Sequence, residues 1–211
     1  MKTHNCVLCN HKTIYFTTFR NKTYNHCPNC DSVQMLPEFF ISSKDEKNRY
    51  ELHKDGTNDL GYLNFIKPIT SYILNNLDKK NIGLDFGAGH SPVISSVLEK
   101  NGFKIFNYDP YFHNNEELLK DKYDFITSCE VIEHFYNPQK EFQTLSSLLR
   151  ANGKLVLMTD LYDSNTDFNK WYYKNDETHV FFYSKKSFEY IKKRFGFKSL
   201  DIDNRLVVLS K

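Results

Sequence analysis

The sequence predicts an α/β fold: a mostly parallel sheet with helices on both faces and an antiparallel hairpin at one edge, preceded by a small cysteine-rich module. Three observations predict it. Short apolar segments alternate with helical patterns from residue 81 onward, as in a parallel sheet. Two further strands end the chain, on either side of the tight turn Asp203-Asn204. Two cysteine pairs lie in the first 35 residues, before the alternation begins.

The composition is that of a protein with a sizeable core. The chain has 211 residues, 40 % of them hydrophobic, which is enough for one α/β domain and a small additional module. Its net charge of +2 favours neither a protein that coats nucleic acid nor an acidic solvating chain. We find no run of about 18 apolar residues, and the first residues lack the apolar stretch of a secretory signal. We therefore expect a cytoplasmic protein without a membrane span.

Four of the five cysteines form two Cys-x-x-Cys pairs. They are Cys6, Cys9, Cys27 and Cys30, with 17 residues between the pairs. Cytosolic chains rarely keep structural disulfides, and two pairs at this separation are typical of a tetrahedral thiolate zinc site. Disulfide bonds are the alternative. Residues 1–35 are therefore predicted to form a zinc ribbon that the metal holds folded, and residues 36–58 a charged connector.

The main domain is predicted to occupy residues 59–211, and its first elements follow from apolar patterns. A broad apolar face predicts a helix over about 59–77, which Pro68 would bend. Short apolar runs bounded by turn residues predict strands at 81–86, 103–108 and 123–129. The segments between them predict a helix at 92–100 and a polar helical stretch near 116–120.

Capping residues mark the later elements. Asn137 before Pro138 predicts the start of a helix that ends near 149. Ser184 and Gly196 predict the two ends of a helix over 184–195. The remaining apolar runs predict strands at 153–159, 197–202 and 206–210.

A glycine turn follows the first strand of this domain. Gly87-Ala88-Gly89 lets the backbone pass close to a ligand, and the helix start behind it offers free N–H groups to an anion. Asp109 closes the next strand 20 residues after Gly89, where a carboxylate accepts hydrogen bonds from a ribose diol. Dinucleotide-binding dehydrogenases share this layout. Asp85 before the turn, and Ser91 in place of a third glycine, favour a methyl donor instead.

Four segments together resemble the successive motifs of class I S-adenosylmethionine-dependent methyltransferases. They are Leu84–Gly89, Tyr108–Pro110, Tyr123–Phe135 and Leu149–Val156. The resemblance covers about residues 59–211 and implies a Rossmann-like sheet. With the ribbon included, the chain is similar to bacterial zinc-ribbon methyltransferases.

The resemblance also implies which residues bind S-adenosylmethionine. Asp85, Gly87, Ala88 and Gly89 would surround the methionine part, Asp109 and Pro110 the ribose, and Cys129 and Glu130 would lie near the sulfonium. One departure concerns the adenine. Only 13 residues separate Asp109 from Tyr123, so the usual third strand, which contacts adenine, is predicted to be shortened or missing.

A second cluster follows the strand that ends at Cys129. Positions three and four apart share a helix face, so Glu130, Glu133 and His134 could converge, with His179 from a later loop. Two carboxylates and two imidazoles form a divalent-metal site, and the pattern resembles that of small-RNA 2′-O-methyltransferases and ubiquinone-pathway O-methyltransferases. One alternative is metal-free base catalysis by His134 or His179, with Glu130 also a candidate catalytic residue. The other is a purely structural helix start.

The sequence therefore predicts transfer of a methyl group from S-adenosylmethionine to a small-molecule or sugar acceptor, at oxygen. Zinc and a second divalent metal are the further predicted cofactors. Two alternatives belong to different classes. One is an RNA methyltransferase that holds RNA with the ribbon, against which the near-neutral charge counts. The other is a non-catalytic binding module that keeps the fold.

Overall fold

The computed structural model describes residues 4–51 and 59–211, so residues 52–58 of the predicted connector lie outside the described residues. The strands are β1 (Ile14–Phe19), β2 (Lys22–His26), β3 (Val33–Met35), β4 (Ile82–Phe86), β5 (Lys104–Tyr108), β6 (Tyr123–Cys129), β7 (Leu149–Met158), β8 (Phe181–Phe182), β9 (Ser199–Asp203) and β10 (Leu206–Ser210). The helices are α1 (Ser43–Glu51), α2 (Leu60–Phe65), α3 (Lys67–Asn76), α4 (Val93–Lys100), α5 (Pro138–Leu148) and α6 (Lys185–Arg194). Short 3₁₀ helices lie at Pro37–Phe39, Glu116–Lys120, Ile132–His134 and Tyr172–Asn175.

The main sheet has six strands in the order β5-β4-β6-β7-β10-β9. Strands β5, β4, β6 and β7 are parallel, whereas β10 runs antiparallel to both β7 and β9. The terminal hairpin is thus joined to the sheet through its second strand. This Rossmann-like arrangement confirms the predicted fold class.

The link between β5 and β6 contains no third strand. Residues 109–122, all described, form a bridge between Asp109 and His113 and then the 3₁₀ helix Glu116–Lys120, capped by the side chain of Asn115. Strand β5 is therefore the edge of the sheet at this end. The short spacing predicted this loss.

Two predicted elements differ from the observed ones in their bounds. The helix expected at 59–77 is two helices, α2 and α3, that meet at Ile66, because Pro68 occupies the first turn of α3. The strand expected at 153–159 is longer: β7 begins at Leu149, directly after α5, and passes through Asn152 in a left-handed conformation. Helix α6 begins as predicted, with a capping box between Ser184 and Ser187.

The ribbon is built into the rest of the protein. Strands β1, β2 and β3 form an antiparallel sheet whose fourth strand, β8, comes from the main domain. Val33 pairs with Phe182, and Gln34 with Phe181. Buried ribbon residues such as Leu8 and Tyr24 belong to the same apolar cluster as Phe182 and the core on one face of the main sheet. The ribbon therefore shares a hydrophobic core with the main domain.

Part of the predicted connector is ordered structure. Residues 43–51 form α1, a helix that the sequence did not predict, and it packs over the mouth of the main cleft. Within residues 4–51 and 59–211, the helices are all too short or too polar to cross a lipid bilayer.

Candidate active site

The four ribbon cysteines meet at one point. The Sγ atoms of Cys6 and Cys30 are 3.6 Å apart, and those of Cys9 and Cys27 are 3.4 Å apart. A disulfide needs about 2.05 Å, so all four are free thiols, and their Sγ atoms all lie within 4.8 Å of one another. This donor set fits a tetrahedral zinc ion.

Both cysteine pairs are shaped by the same turn. Asn10 donates its N–H to the carbonyl of Cys6, and Asp31 does the same to Cys27, both at 2.8 Å. The two donors have positive φ angles of 59° and 56°, which asparagine and aspartate tolerate better than most residues. Contacts with the sulfurs of Cys27 and Cys30 lower the pKa of Cys6 to about 4. Two matching turns and a thiolate are what a metal site requires.

The glycine turn lies at the carboxyl ends of β4 and β5. The N–H groups of Gly87 and Ala88 both donate to the carbonyl of Tyr108, at 2.8 and 3.1 Å, which ties the turn to β5. Gly87 has φ +82°, and a Cβ there would come within 2.5 Å of a methyl group of Val131. Only glycine fits this position without a shift.

Asp109 joins the turn to the start of the next loop. Its Oδ2 accepts from the N–H of Gly89 at 3.0 Å, and its Oδ1 accepts from the N–H groups of Tyr111 and Phe112 at 2.9 and 3.1 Å. These bonds fix the carboxylate at the cleft wall, where its remaining lone pairs are placed for a diol.

A cleft of about 960 Å³ opens above these strand ends. The predicted cofactor residues that line it are Gly87, Ala88, Gly89, Asp109, Pro110, Cys129 and Glu130. Asp85 is not among the lining residues. It lies beneath the turn, only 3 % exposed, and accepts hydrogen bonds from Thr127 at 2.8 Å and Ser95 at 3.2 Å. Burial raises the pKa of Asp85 to about 6. Its position supports the turn from below.

Three of the four residues predicted as a second metal site lie together. Glu133 Oε1 is 3.9 Å from Nε2 of His134 and 3.9 Å from Nε2 of His179. The carboxylate is fully buried and accepts hydrogen bonds from the hydroxyls of Tyr173 at 2.5 Å and Thr159 at 3.1 Å. Burial raises the pKa of Glu133 to about 7. One ligand atom from each of the three residues lies within 4.8 Å of the others.

Backbone carbonyls set the protonation of both imidazoles. Nδ1 of His134 donates to the carbonyl of Thr178 at 3.0 Å, and Nδ1 of His179 donates to the carbonyl of Tyr173 at 2.7 Å. A proton on each Nδ1 leaves Nε2 as the lone-pair nitrogen that faces Glu133. Burial lowers the pKa of both rings, that of His179 to about 3. Both rings are therefore neutral near pH 7.

Glu130 lies apart from these three residues. Its Oε2 pairs with the guanidinium of Arg205 at 2.6 Å, and that guanidinium packs over the rings of Phe65 and Tyr173. Burial raises the pKa of Glu130 to about 8. Its backbone has φ +54°, a strained conformation for a glutamate and one that is often kept at functional sites.

The cleft also contains residues that the sequence did not indicate. Arg205 comes from the terminal hairpin turn, and Glu46, Arg49 and Tyr50 come from α1. Arg49 pairs with Asp176 across the cleft at 3.2 Å. None of these belongs to a recognisable motif, because they approach the site from distant parts of the chain.

Comparisons with known proteins agree with this geometry. A family model described as a methyltransferase domain matches residues 61–202. The 1,6-didemethyltoxoflavin-N1-methyltransferase of Burkholderia thailandensis, solved with its substrate and S-adenosylhomocysteine, is similar with a TM-score of 0.55 and 10 % identity, over 93 % of this chain and 97 % of that one. No curated protein matches the chain.

Two longer structures are also similar. Human N-acetylserotonin methyltransferase in complex with S-adenosylmethionine has a TM-score of 0.54 at 10 % identity, over 81 % of this chain and 56 % of that one. An O-methyltransferase family protein from Burkholderia thailandensis has a TM-score of 0.53 at 10 % identity, over 78 % of this chain and 61 % of that one. The chain thus spans about three fifths of the length of these two proteins. At this identity the likeness concerns the fold.

The family match covers most of the chain, and the strand order, the glycine turn and Asp109 fit it. The chain therefore belongs to the family of methyltransferase domains and has the fold of S-adenosylmethionine-dependent methyltransferases.

Proposed function

We propose that this chain transfers a methyl group from S-adenosylmethionine to a hydroxyl oxygen of a small-molecule acceptor, with sugars included in that class. The cleft of about 960 Å³ has room for the donor and a small second ligand, and α1 lies across it. Two similar structures are by name methyltransferases of N-acetylserotonin and 1,6-didemethyltoxoflavin, which supports a small acceptor. The latter is an N1-methyltransferase, so an amine acceptor is the alternative to a hydroxyl.

One observation carries the choice of oxygen. Nε2 of His134, Nε2 of His179 and Oε1 of Glu133 face one another just beyond the end of β6. A hydroxyl must lose its proton as it attacks the methyl group, whereas a neutral amine can attack first. Two imidazole lone pairs and a carboxylate are suited to that deprotonation or to a metal that promotes it.

The pKa directions favour a metal over a histidine base. A general base works best when its pKa lies near the working pH, but burial lowers the pKa of His179 to about 3. Such a ring is a weak base and a good neutral metal ligand. We therefore propose that Glu133, His134 and His179 hold a divalent cation. When bound, the cation would polarise the acceptor oxygen and lower its pKa.

The chain's own residues have three tasks in this scheme. The carbonyls of Thr178 and Tyr173 hold the two rings in the ligating tautomer. Tyr173 and Thr159 orient the carboxylate of Glu133 through their hydroxyls. The Glu130–Arg205 pair and the ring of Tyr173 form the adjoining wall.

Manganese titration and methyl transfer test this proposal together. The zinc-loaded chain is titrated with Mn²⁺ by electron paramagnetic resonance, and transfer from labelled S-adenosylmethionine is measured on sugars, phenols, amines and RNA. We expect one Mn²⁺ site beyond the ribbon, lost in His179→Ala and Glu133→Gln and kept in Glu99→Gln, an exposed carboxylate on α4. Those two losses should also abolish transfer to a hydroxylated small molecule.

The other outcomes discriminate the alternatives. Activity without bound Mn²⁺ that survives in Glu133→Gln would contradict the metal. Transfer to RNA alone would favour the RNA methyltransferase, and S-adenosylhomocysteine binding with no acceptor in any class would favour the non-catalytic module.

We propose that the ribbon binds zinc and has a structural role. Its four thiols face one another, and its second turn is engaged within the protein: Ser187 donates to the carbonyl of Cys30 at 2.9 Å, and Lys186 to that of Pro28 at 3.0 Å. Free thiols at metal-ligand spacing favour a reducing compartment, so we retain the cytoplasm as the predicted location. Zinc content of the purified chain, measured by mass spectrometry, should be one ion per molecule and should fall in Cys30→Ser.

A further inference from the structure

Helix α1 covers the cleft without an apolar face. Its sequence, Ser43 to Glu51, is almost entirely polar, and within this fully described helix Glu46 is the one buried residue. A surface helix is normally held by a stripe of apolar side chains. Polar contacts must therefore hold α1 in place.

The buried carboxylate of Glu46 accepts hydrogen bonds from three tyrosine hydroxyls. Tyr50 donates to Oε1 at 2.8 Å, while Tyr111 and Tyr136 donate to Oε2 at 2.9 and 3.0 Å. Burial raises the pKa of all three tyrosines, so they remain donors. A buried carboxylate needs such donors to replace water.

The tyrosines connect α1 to the two halves of the site. Tyr111 follows Asp109 by two residues and is held there by its N–H bond to that carboxylate. Tyr136 follows His134 by two residues and stacks on Phe40 at 4.8 Å. Tyr50 meets the ring of His134 edge-on at 5.4 Å. One carboxylate thus fixes the lid to the ribose side and to the acceptor side.

The same end of the cleft lacks a strand. Segment 109–122 contains no strand, so β5 is the sheet edge and no neighbouring strand end encloses the ligand beyond Asp109. Glu46, Tyr111 and Tyr136 line the cleft there.

We propose that α1 supplies the wall of the adenosine site that the missing strand leaves open, and that Glu46 is the residue that holds this wall. Glu46 orders the rings of Tyr111 and Tyr136 beside the cofactor and keeps the helix closed over it. The inference rests on the proposed use of S-adenosylmethionine. It makes the segment between the ribbon and the main domain part of the cofactor site.

The test measures affinity for S-adenosylhomocysteine by calorimetry, with amide hydrogen exchange of residues 43–51. We expect Glu46→Ala to weaken binding at least about tenfold, and Tyr111→Phe and Tyr136→Phe to weaken it about threefold each. Bound S-adenosylhomocysteine should slow exchange in α1 of the wild type and not in Glu46→Ala. Glu51→Gln, exposed on the same helix, and Tyr15→Phe, exposed on the ribbon, are matched controls that should bind as the wild type does.

Three results bear on the outcome. Affinity of Glu46→Ala within about twofold of the wild type, with unchanged exchange, would overturn the proposal and leave the proposed function intact. A wild type that does not bind S-adenosylhomocysteine would overturn the proposed function itself, and the proposal with it. If Glu46→Ala does not fold, the double variant Tyr111→Phe/Tyr136→Phe, which keeps the carboxylate, gives the same decision.

Discussion

The N–H of Met35 donates to the carbonyl of Val180 at 2.8 Å, which joins the ribbon to the acceptor side of the cleft. Val180 directly follows His179, and its own N–H donates to the carbonyl of Glu133 at 2.9 Å. Strands β3 and β8 continue the same ladder. Two residues of the proposed metal site are therefore one hydrogen bond away from the ribbon sheet.

Loss of zinc should affect the acceptor side more than the cofactor side. In Cys30→Ser, or after zinc removal, we expect methyl transfer to fall about 100-fold, because small displacements of catalytic groups have effects of that size. Affinity for S-adenosylhomocysteine should change only a few-fold, since the glycine turn is tied to β5. Steady-state kinetics and calorimetry measure the two effects. Lys12→Ala, exposed on the ribbon, is the control, and equal losses in both measurements would contradict the prediction.

Gly87 should be irreplaceable for steric reasons. Gly87→Ala places a Cβ within 2.5 Å of Val131 at φ +82°, so we expect a loss of about 1–3 kcal/mol in the free energy of unfolding and at least about tenfold weaker cofactor binding. Urea denaturation and calorimetry measure both.

Two variants isolate the cause. Val131→Ala should restore part of the stability of Gly87→Ala, since it removes the clashing methyl groups. Gly196→Ala has a similar φ of +76° with open space around it, after α6, and should lose stability without loss of binding. Wild-type binding by Gly87→Ala would disprove the argument.

Asp85 should make stability fall as pH rises. Its folded pKa of about 6 lies above the ordinary value of 3.8, so the folded state binds the proton more tightly. This contribution is fully present below pH 4 and is lost as pH rises through 6, by up to about 3 kcal/mol. Urea unfolding between pH 4 and 7 should show the decline in the wild type and a smaller one in Asp85→Asn. Asp121→Asn, an exposed carboxyl, should follow the wild type; a decline in Asp85→Asn as steep as the wild type's would refute the assignment.

Glu130 should be kept for its side chain rather than for stability. Glu130→Gly relieves the left-handed backbone by about 1 kcal/mol and loses the pair with Arg205, so the net change in unfolding free energy should be within about 1 kcal/mol. Methyl transfer should fall sharply in a kinetic assay. Asn152→Gly, also left-handed but outside the cleft, should leave transfer unchanged. Full activity of Glu130→Gly would show that the carboxylate is dispensable.

Much of the fold could be predicted because local signals agreed with the topology. The alternating pattern, the glycine turn and the caps at Asn137 and Ser184 all depend on neighbouring residues. The start of β7 at Leu149 could not be predicted, because Arg150, Ala151 and Asn152 carry no strand pattern and are ordered by the partner strands. Helix α1 escaped prediction for the same reason: its stabilising contacts are with Tyr111 and Tyr136, far along the chain.

The candidate site was predictable where a motif is local. The turn at Gly87–Gly89 and the pair Glu133-His134 follow directly from the strand ends. The prediction that Glu130 joins the cluster assumed a helical backbone, in which positions three and four apart share a face. The left-handed conformation of Glu130 breaks that spacing, and the side chain pairs with Arg205 instead. That partner lies 75 residues away in sequence, beyond the reach of any local pattern.

The fourth strand of the ribbon sheet limits how this protein can be shortened or rearranged. Removal of residues 1–35 would uncover the unpaired edge of β8 and the apolar rings of Phe168 and Phe182, which now pack against Tyr24. Uncovered strand edges and apolar patches promote self-association. A truncated protein would therefore aggregate before its catalysis could be judged, and loss of metal in the cell would shorten the lifetime of the whole chain.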